Sequence, residues 1–110
     1  MSIADFLNDK YFELQARKHK RITIEEFAQS IGVSRELMTM WLNGKRKPGP
    51  KYKRILIETF GEQAVIAFGE DPDLWAIREA WHNLSPMERT SFRYKIVKKA
   101  RQNFEQMHHV

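Results

Sequence analysis

Residues Thr23 to Lys47 read TIEEFAQSIGVSRELMTMWLNGKRK, and how this stretch divides decides the fold. Thr23 followed three residues later by Glu26 is the pattern of a capping box, in which two side chains satisfy bare backbone N–H groups at a helix start. Ile24, Phe27, Ala28 and Ile31 then fall at helical spacing. Gly32 can take the left-handed conformation that stops a helix and turns the chain, and Val33 plugs the corner. Ser34 is a good N-cap for a second helix, whose Met38, Trp41 and Leu42 face inward while Arg35, Glu36, Thr39 and Asn43 face out. Asn43-Gly44 ends it. Beyond lies the loop Lys45-Arg46-Lys47-Pro48-Gly49-Pro50, where two prolines and a glycine prevent further helix.

Working outward, Ser2 to His19 reads as a helix capped by Ser2, with Asp5 at its positive end and Ile3, Phe6, Leu7, Tyr11 and Leu14 as an apolar stripe. The cations Arg17, Lys18, Lys20 and Arg21 around its end compensate the helix dipole. Lys20 and Arg21 also stand before the free N–H groups of the next helix, where an anion is welcome. On the other side, Lys51 to Phe60 is a helix with Tyr52, Ile55, Leu56, Thr59 and Phe60 inward, and Glu62 to Phe68 a shorter one using Ala64, Val65 and Phe68. Gly69-Glu70-Asp71-Pro72-Asp73 is the best internal boundary. After it, Leu74, Ile77, Trp81 and Leu84 repeat at helical spacing. Ser85-Pro86-Met87-Glu88 then supplies an N-cap, a proline at the first position and a capping Glu, so a last helix runs to about Met107. Its stripe of Phe92, Ile96, Val97, Ala100, Phe104 and Met107 is too long for one short partner helix to cover. Packing on the main globule and packing on a second chain both remain open.

At 110 residues the chain is one domain, or one small domain with an appendage. It has no cysteine, which excludes disulfide scaffolds, thiolate metal sites and cysteine nucleophiles and fits a reducing compartment. No apolar run reaches membrane-span or signal-core length, so the expectation is a cytoplasmic protein without a membrane partner. The net charge is +5, with 12 Lys/Arg against 7 Asp/Glu in residues 1–60 and 7 against 7 in residues 61–110. The whole excess therefore sits in residues 1–60, the half that contains the Thr23–Lys47 stretch, and a phosphate backbone is its natural partner through counterion release.

These residues resemble the helix-turn-helix of the phage repressor family, of Cro and C1 type. Ala28, Gly32, Val33 and Trp41 stand at the spacing that family uses to pack its two helices, and WLNGKRKP (41–48) is similar to its exit from the recognition helix. The likeness covers residues 4 to 68. It implies an all-α protein, with a five-helix repressor-like helix-turn-helix domain over residues 1–69. Residues 70–110 are then a two-helix C-terminal extension and a candidate dimerisation element. It also implies that double-stranded DNA is the partner and that Asn43, Lys45 and Lys47 contact its backbone. Lys20, Arg21, Thr23, Ser34 and Arg46 stand beside them as further backbone contacts. If the outer face of the second helix enters a major groove, Arg35 suits the paired acceptors of guanine and Glu36 the cytosine amino group, while Thr39 or Met40 can meet a thymine methyl. Well-known repressors carry glutamines at the positions of Arg35 and Glu36, so the preferred bases here differ. Ile24 replaces a polar, DNA-facing residue of some relatives.

Enzyme readings have little to rest on. His19, His82, His108 and His109 stand in no nucleophile or zinc spacing, and no glycine-rich phosphate loop exists. Glu79 and His82 form one Glu-x-x-His without the companion motif a di-iron bundle needs, and His108-His109 reads as a chain-end tail. No catalytic residue, metal or cofactor is expected. A regulator binding DNA as a homodimer is the leading expectation. The alternatives are an antitoxin whose C-terminal helices bind a toxin, and a protein-interaction adaptor on the same fold.

Overall fold

Side-chain caps at Ser2, Thr23, Ser34 and Ser85 start four of the helices, and the computed structural model, which describes residues 1–108, places seven helices in all. They are α1 (Ile3–Lys18), α2 (Ile24–Ile31), α3 (Arg35–Leu42), α4 (Pro50–Phe60), α5 (Glu62–Ala67), α6 (Pro72–Trp81) and α7 (Pro86–His108). No strand occurs among the described residues, so the protein is all-α. The expected tail residue His109 lies outside them. The chain divides into two compact units, Met1–Pro72 and a second from Asp73 onward.

In the first unit Ser2 and Asp5 make a reciprocal capping box at the start of α1. At α2 the box closes only halfway. Thr23 Oγ1 accepts from the Glu26 N–H at 3.1 Å, but the Glu26 carboxylate takes the Thr23 hydroxyl at 3.3 Å rather than the cap backbone. α1 ends at His19, a non-glycine residue held left-handed at φ 53°, which nothing in the residue pattern signalled. Leu7, Met38, Trp41 and Leu56 are fully buried, and Ile3, Phe6, Ile22, Phe27, Ala28 and Ala64 close around them. Aromatic contacts tie the helices together: Tyr11 stacks on Phe27 at 5.1 Å, and Trp41 meets Tyr52 edge-on at 5.3 Å. On α4 the inward face is turned from expectation. Thr59 is exposed, with its hydroxyl on the Ile55 carbonyl, and Ile57 packs on the core in its place.

Polar clamps across the core set the loop and helix positions. Asn8 Nδ2 donates to the Leu42 carbonyl at 3.0 Å, capping the C-terminus of α3 from α1. The Tyr11 hydroxyl donates to the Ile22 carbonyl, and the Ile22 N–H reaches Gln15 Oε1 at 3.2 Å. Asn8→Ala removes a half-buried bond and leaves a helix-end carbonyl bare, so thermal or urea unfolding should show a loss of about 1 kcal/mol.

In the second unit neither α6 nor α7 contains a buried residue. Trp81, Leu84 and Arg89 are half-buried, and Arg89 caps the end of α6, Nε on the Trp81 carbonyl at 3.0 Å and Nη2 on that of His82 at 3.3 Å. Phe92, Ile96, Val97, Phe104 and Met107 are exposed. Ser85 and Glu88 form the capping box expected of them, with Ser85 N–H on Glu88 Oε1 at 3.0 Å and Glu88 N–H on Ser85 Oγ at 3.1 Å. The Ser85 backbone N–H, and after it the Ser85 side chain, hold the Glu88 carboxyl below its ordinary 4.5. A group lowered on folding stabilises above its unfolded value and loses that contribution as pH falls through the folded one. The cap should therefore hold at neutral pH and open only below 4.5. An NMR titration of the Glu88 carboxyl should place its midpoint there, and Ser85→Ala should raise it only partly, since the backbone donor remains.

Candidate nucleic-acid interface

The corner between α2 and α3 is built from main-chain bonds. Gly32, at φ 89°, donates to the Ala28 carbonyl at 3.0 Å, and so does Val33. The positive φ is why glycine stands here. α3 then starts on Ser34, whose Oγ accepts the Leu37 N–H at 3.2 Å. Inside, Met38 and Trp41 are buried and Leu37 and Leu42 half-buried against the core. These anchors, together with Asn8 at the far end, leave the opposite face of α3 outward.

That face carries Ser34, Arg35, Glu36 and Asn43 exposed and Thr39 and Met40 half-exposed. Arg35 and Glu36 have no hydrogen bond or ion pair from their side chains among the described residues. Thr39 is more committed, since its hydroxyl donates to the Arg35 carbonyl at 2.8 Å and leaves the methyl group and a lone pair facing out. Met40 is half-exposed, less open than the helical register alone implies, and its backbone anchors the loop that follows. Its carbonyl accepts both the Lys45 N–H at 3.0 Å and the Arg46 N–H at 3.4 Å.

Those two bonds pin one end of the basic loop, and Pro48, which is buried, pins the other. Lys45, Arg46 and Lys47 project between the two anchors, all exposed and without an acidic partner among the described residues. Lys20 and Arg21 are likewise exposed, on a loop that Tyr11 and Gln15 hold at Ile22. The two N-cap hydroxyls differ in use. Ser34 has its proton free for an acceptor such as a phosphate oxygen, whereas Thr23 spends its proton on Glu26, which also sets a negative charge beside it. Ile24 is half-buried against the core, so the start of α2 offers no polar side chain there.

Pattern reading passed over Asn8, Tyr11 and Gln15, which hold the α1–α2 loop and the end of α3 from within α1. Tyr11 shows as an apolar stripe member, while Asn8 and Gln15 look like solvated residues until their distant partners are known. Lys51, exposed in the first turn of α4 with its ammonium 5.7 Å from the Tyr52 ring centroid, is a further cation that pattern reading treated only as part of a helix. Among the described residues no group of three or more His, Asp or Glu side chains gathers, so Glu79 and His82 have no third ligand. No described helix is long and apolar enough to cross a membrane.

A family model described as "Helix-turn-helix" matches residues 14–63, from within α1 to the start of α5. No curated protein and no solved structure matches the chain.

Proposed function

Since residues 14–63 are a DNA-binding helix-turn-helix of the Cro/C1 type, we propose that this protein is a sequence-specific regulator of transcription, of prokaryotic or phage kind. It would act in the cytoplasm by occupying duplex DNA, with no chemistry of its own. In this reading residues 1–69 are a five-helix repressor-like domain and residues 70–110 a two-helix extension. Arg35 and Glu36 reach base edges in the major groove from the first turn of α3, and Thr39 and Met40 add apolar contact one turn on. Lys20, Arg21, Ser34, Asn43, Lys45, Arg46 and Lys47 hold phosphates, with Thr23 a weaker contact for the reason given above.

One observation carries the proposal. The open face of α3 holds two side chains of opposite charge, Arg35 and Glu36, with no partner among the described residues, and it lies next to a loop that carries three more cations. The cationic donors Arg35, Lys45, Arg46 and Lys47 suit a phosphate-bearing surface, and Glu36 among them can accept from a base amino group.

Selection of bound fragments from a random duplex pool tests it, the expected outcome being an enriched motif with two-fold symmetry. Enrichment of no motif would overturn the proposal. On the selected sequence, Arg35→Ala should relax preference at one base pair per half-site by about 1–3 kcal/mol, while random-duplex affinity changes far less.

A single head of this size touches few base pairs, so the functional species is taken to be a homodimer on half-sites about one helical turn apart. The exposed Phe92, Ile96, Val97, Phe104 and Met107 of α7 support this, since a second copy would remove them from water. Sedimentation that finds only monomer at tens of micromolar, with and without DNA, excludes it. The same side chains favour one second reading, an antitoxin whose extension masks a toxin; its mark is a small protein that copurifies in equal amount.

A further inference from the structure

Acidic and basic residues are equal in number over residues 61–110, but they are sorted along the chain. Before Arg89 the only cation is Arg78. From Arg89 to Arg101 come Arg89, Arg93, Lys95, Lys98, Lys99 and Arg101, with no Asp or Glu between them. Arg89 is occupied at the end of α6. The other five are exposed, and none has an ion-pair partner among the described residues. Lys95 and Lys99 are four residues apart and Lys95 and Lys98 three, spacings at which like charges repel and cost the helix stability. The arrangement works against the fold of α7, which points to a partner outside it.

We infer that α7 is a second contact to duplex DNA, in which Lys95, Lys98, Lys99 and Arg101 take phosphates independently of the base-reading face of α3. The choice of DNA rests on the function proposed above. The choice of duplex, and of phosphate, rests on α7 itself. Lys95 to Arg101 span about 9 Å of helix at 1.5 Å per residue and, at 3.6 residues per turn, lie within about half of its circumference, so one face presents all four to the dense phosphates of a duplex.

A bilayer surface suits these residues less well. Arg93 stands three and four residues before Ile96 and Val97, inside the apolar stripe, whereas a membrane-surface helix keeps its charges off the buried face. Single strands are bound by stacking bases on open rings. The rings of α7 are exposed, but each has a neighbour over it, with Lys95 Nζ 5.6 Å from the Phe92 centroid, Lys98 Nζ 5.9 Å from that of Tyr94, and His108 stacked on Phe104 at 4.1 Å, so a base stacking on that face would have to displace it.

The test uses the full chain, with Kd measured over a range of salt concentrations. The probes are the selected duplex, a random duplex and a single strand of equal length. Lys95→Gln, Lys98→Gln, Lys99→Gln and Arg101→Gln are combined in one variant, and circular dichroism reports its helix content. The expected result is a salt slope lower by about 2–4, with both duplexes weakened by the same factor of roughly 10–100 and their ratio kept. A slope and affinities like those of the parent overturn the inference, as does a loss confined to the single strand. A second variant, with Lys95, Lys98 and Lys99 each changed to Arg, keeps the charge and should bind like the parent. If it fails as the Gln variant does, the effect is one of packing and the inference falls. The two readings separate cleanly. If Arg35→Ala leaves base preference untouched while the α7 variant still flattens the slope, the reading head is misassigned and α7 stands; the reverse pattern removes α7 alone.

Discussion

Trp41→Ala should destabilise the first unit by about 3–5 kcal/mol, the range for deleting a large aromatic side chain from a packed interior. Trp41 is 1 % exposed and is the largest of the fully buried side chains. It holds α3 on Tyr52 of α4, and beside it Asn8 of α1 grips the Leu42 carbonyl. A small domain keeps only about 5–15 kcal/mol in hand, so this one change takes a large share of it. Urea unfolding followed by circular dichroism should show the midpoint falling sharply, with duplex binding lost in proportion because α3 no longer has a fixed seat. Trp75 and Trp81 lie in the second unit and remain as fluorescent reporters, so a change confined to the first unit can be seen as such. Trp41→Phe keeps a ring against Tyr52 and should cost much less. Equal losses for the two variants would contradict the packing described.

Changing Lys45, Arg46 and Lys47 together to Gln should weaken binding to selected and random duplexes alike. Each phosphate contact contributes about 0.9 to the slope of log affinity against log salt, so three lost contacts lower it by roughly 2.7. Near physiological salt that is about a hundredfold in Kd. Stability should barely move, since all three side chains are exposed and unpaired, and what holds the loop is the Met40 carbonyl and Pro48. A variant that loses sequence preference while keeping its slope would mean that these side chains read bases, and their role would have to be redrawn. An adaptor with no DNA partner predicts no change in either quantity.

The parts of this fold that can be read in advance are those with local causes. Ser2, Thr23, Ser34 and Ser85 mark helix starts because a cap acts within one turn, and Gly32 marks the corner because its backbone demands are its own. The outward face of α3 follows from helical periodicity. What escapes a linear reading depends on partners distant along the chain. Asn8 is 34 residues from the carbonyl it caps, and Thr59 lies at a position where Ile57 was equally placed to turn inward. The Met40 carbonyl holds the loop that follows through the N–H groups of Lys45 and Arg46, which no period encodes. The charge of α7 was hidden for another reason. Counting over half the chain cancelled an acidic stretch against a basic one, and only their order separates them. The proposed base contacts rest on chemistry, an Arg and a Glu in the first turn of an exposed helix, and name no operator sequence, which depends on the DNA as much as on these side chains.

The loop from Lys45 to Pro48 arrives at its partner already shaped, its backbone fixed by two bonds to one carbonyl and by a buried proline ring. Ordering a free backbone costs about 1–2 kcal/mol per residue, and here folding has met that cost in advance. None of those restraints involves the side chains of residues 45 to 47. Their chemistry can be exchanged, by selection or by design, without rebuilding the scaffold, so under the proposed function general grip on the duplex becomes a dial that turns separately from the choice of site.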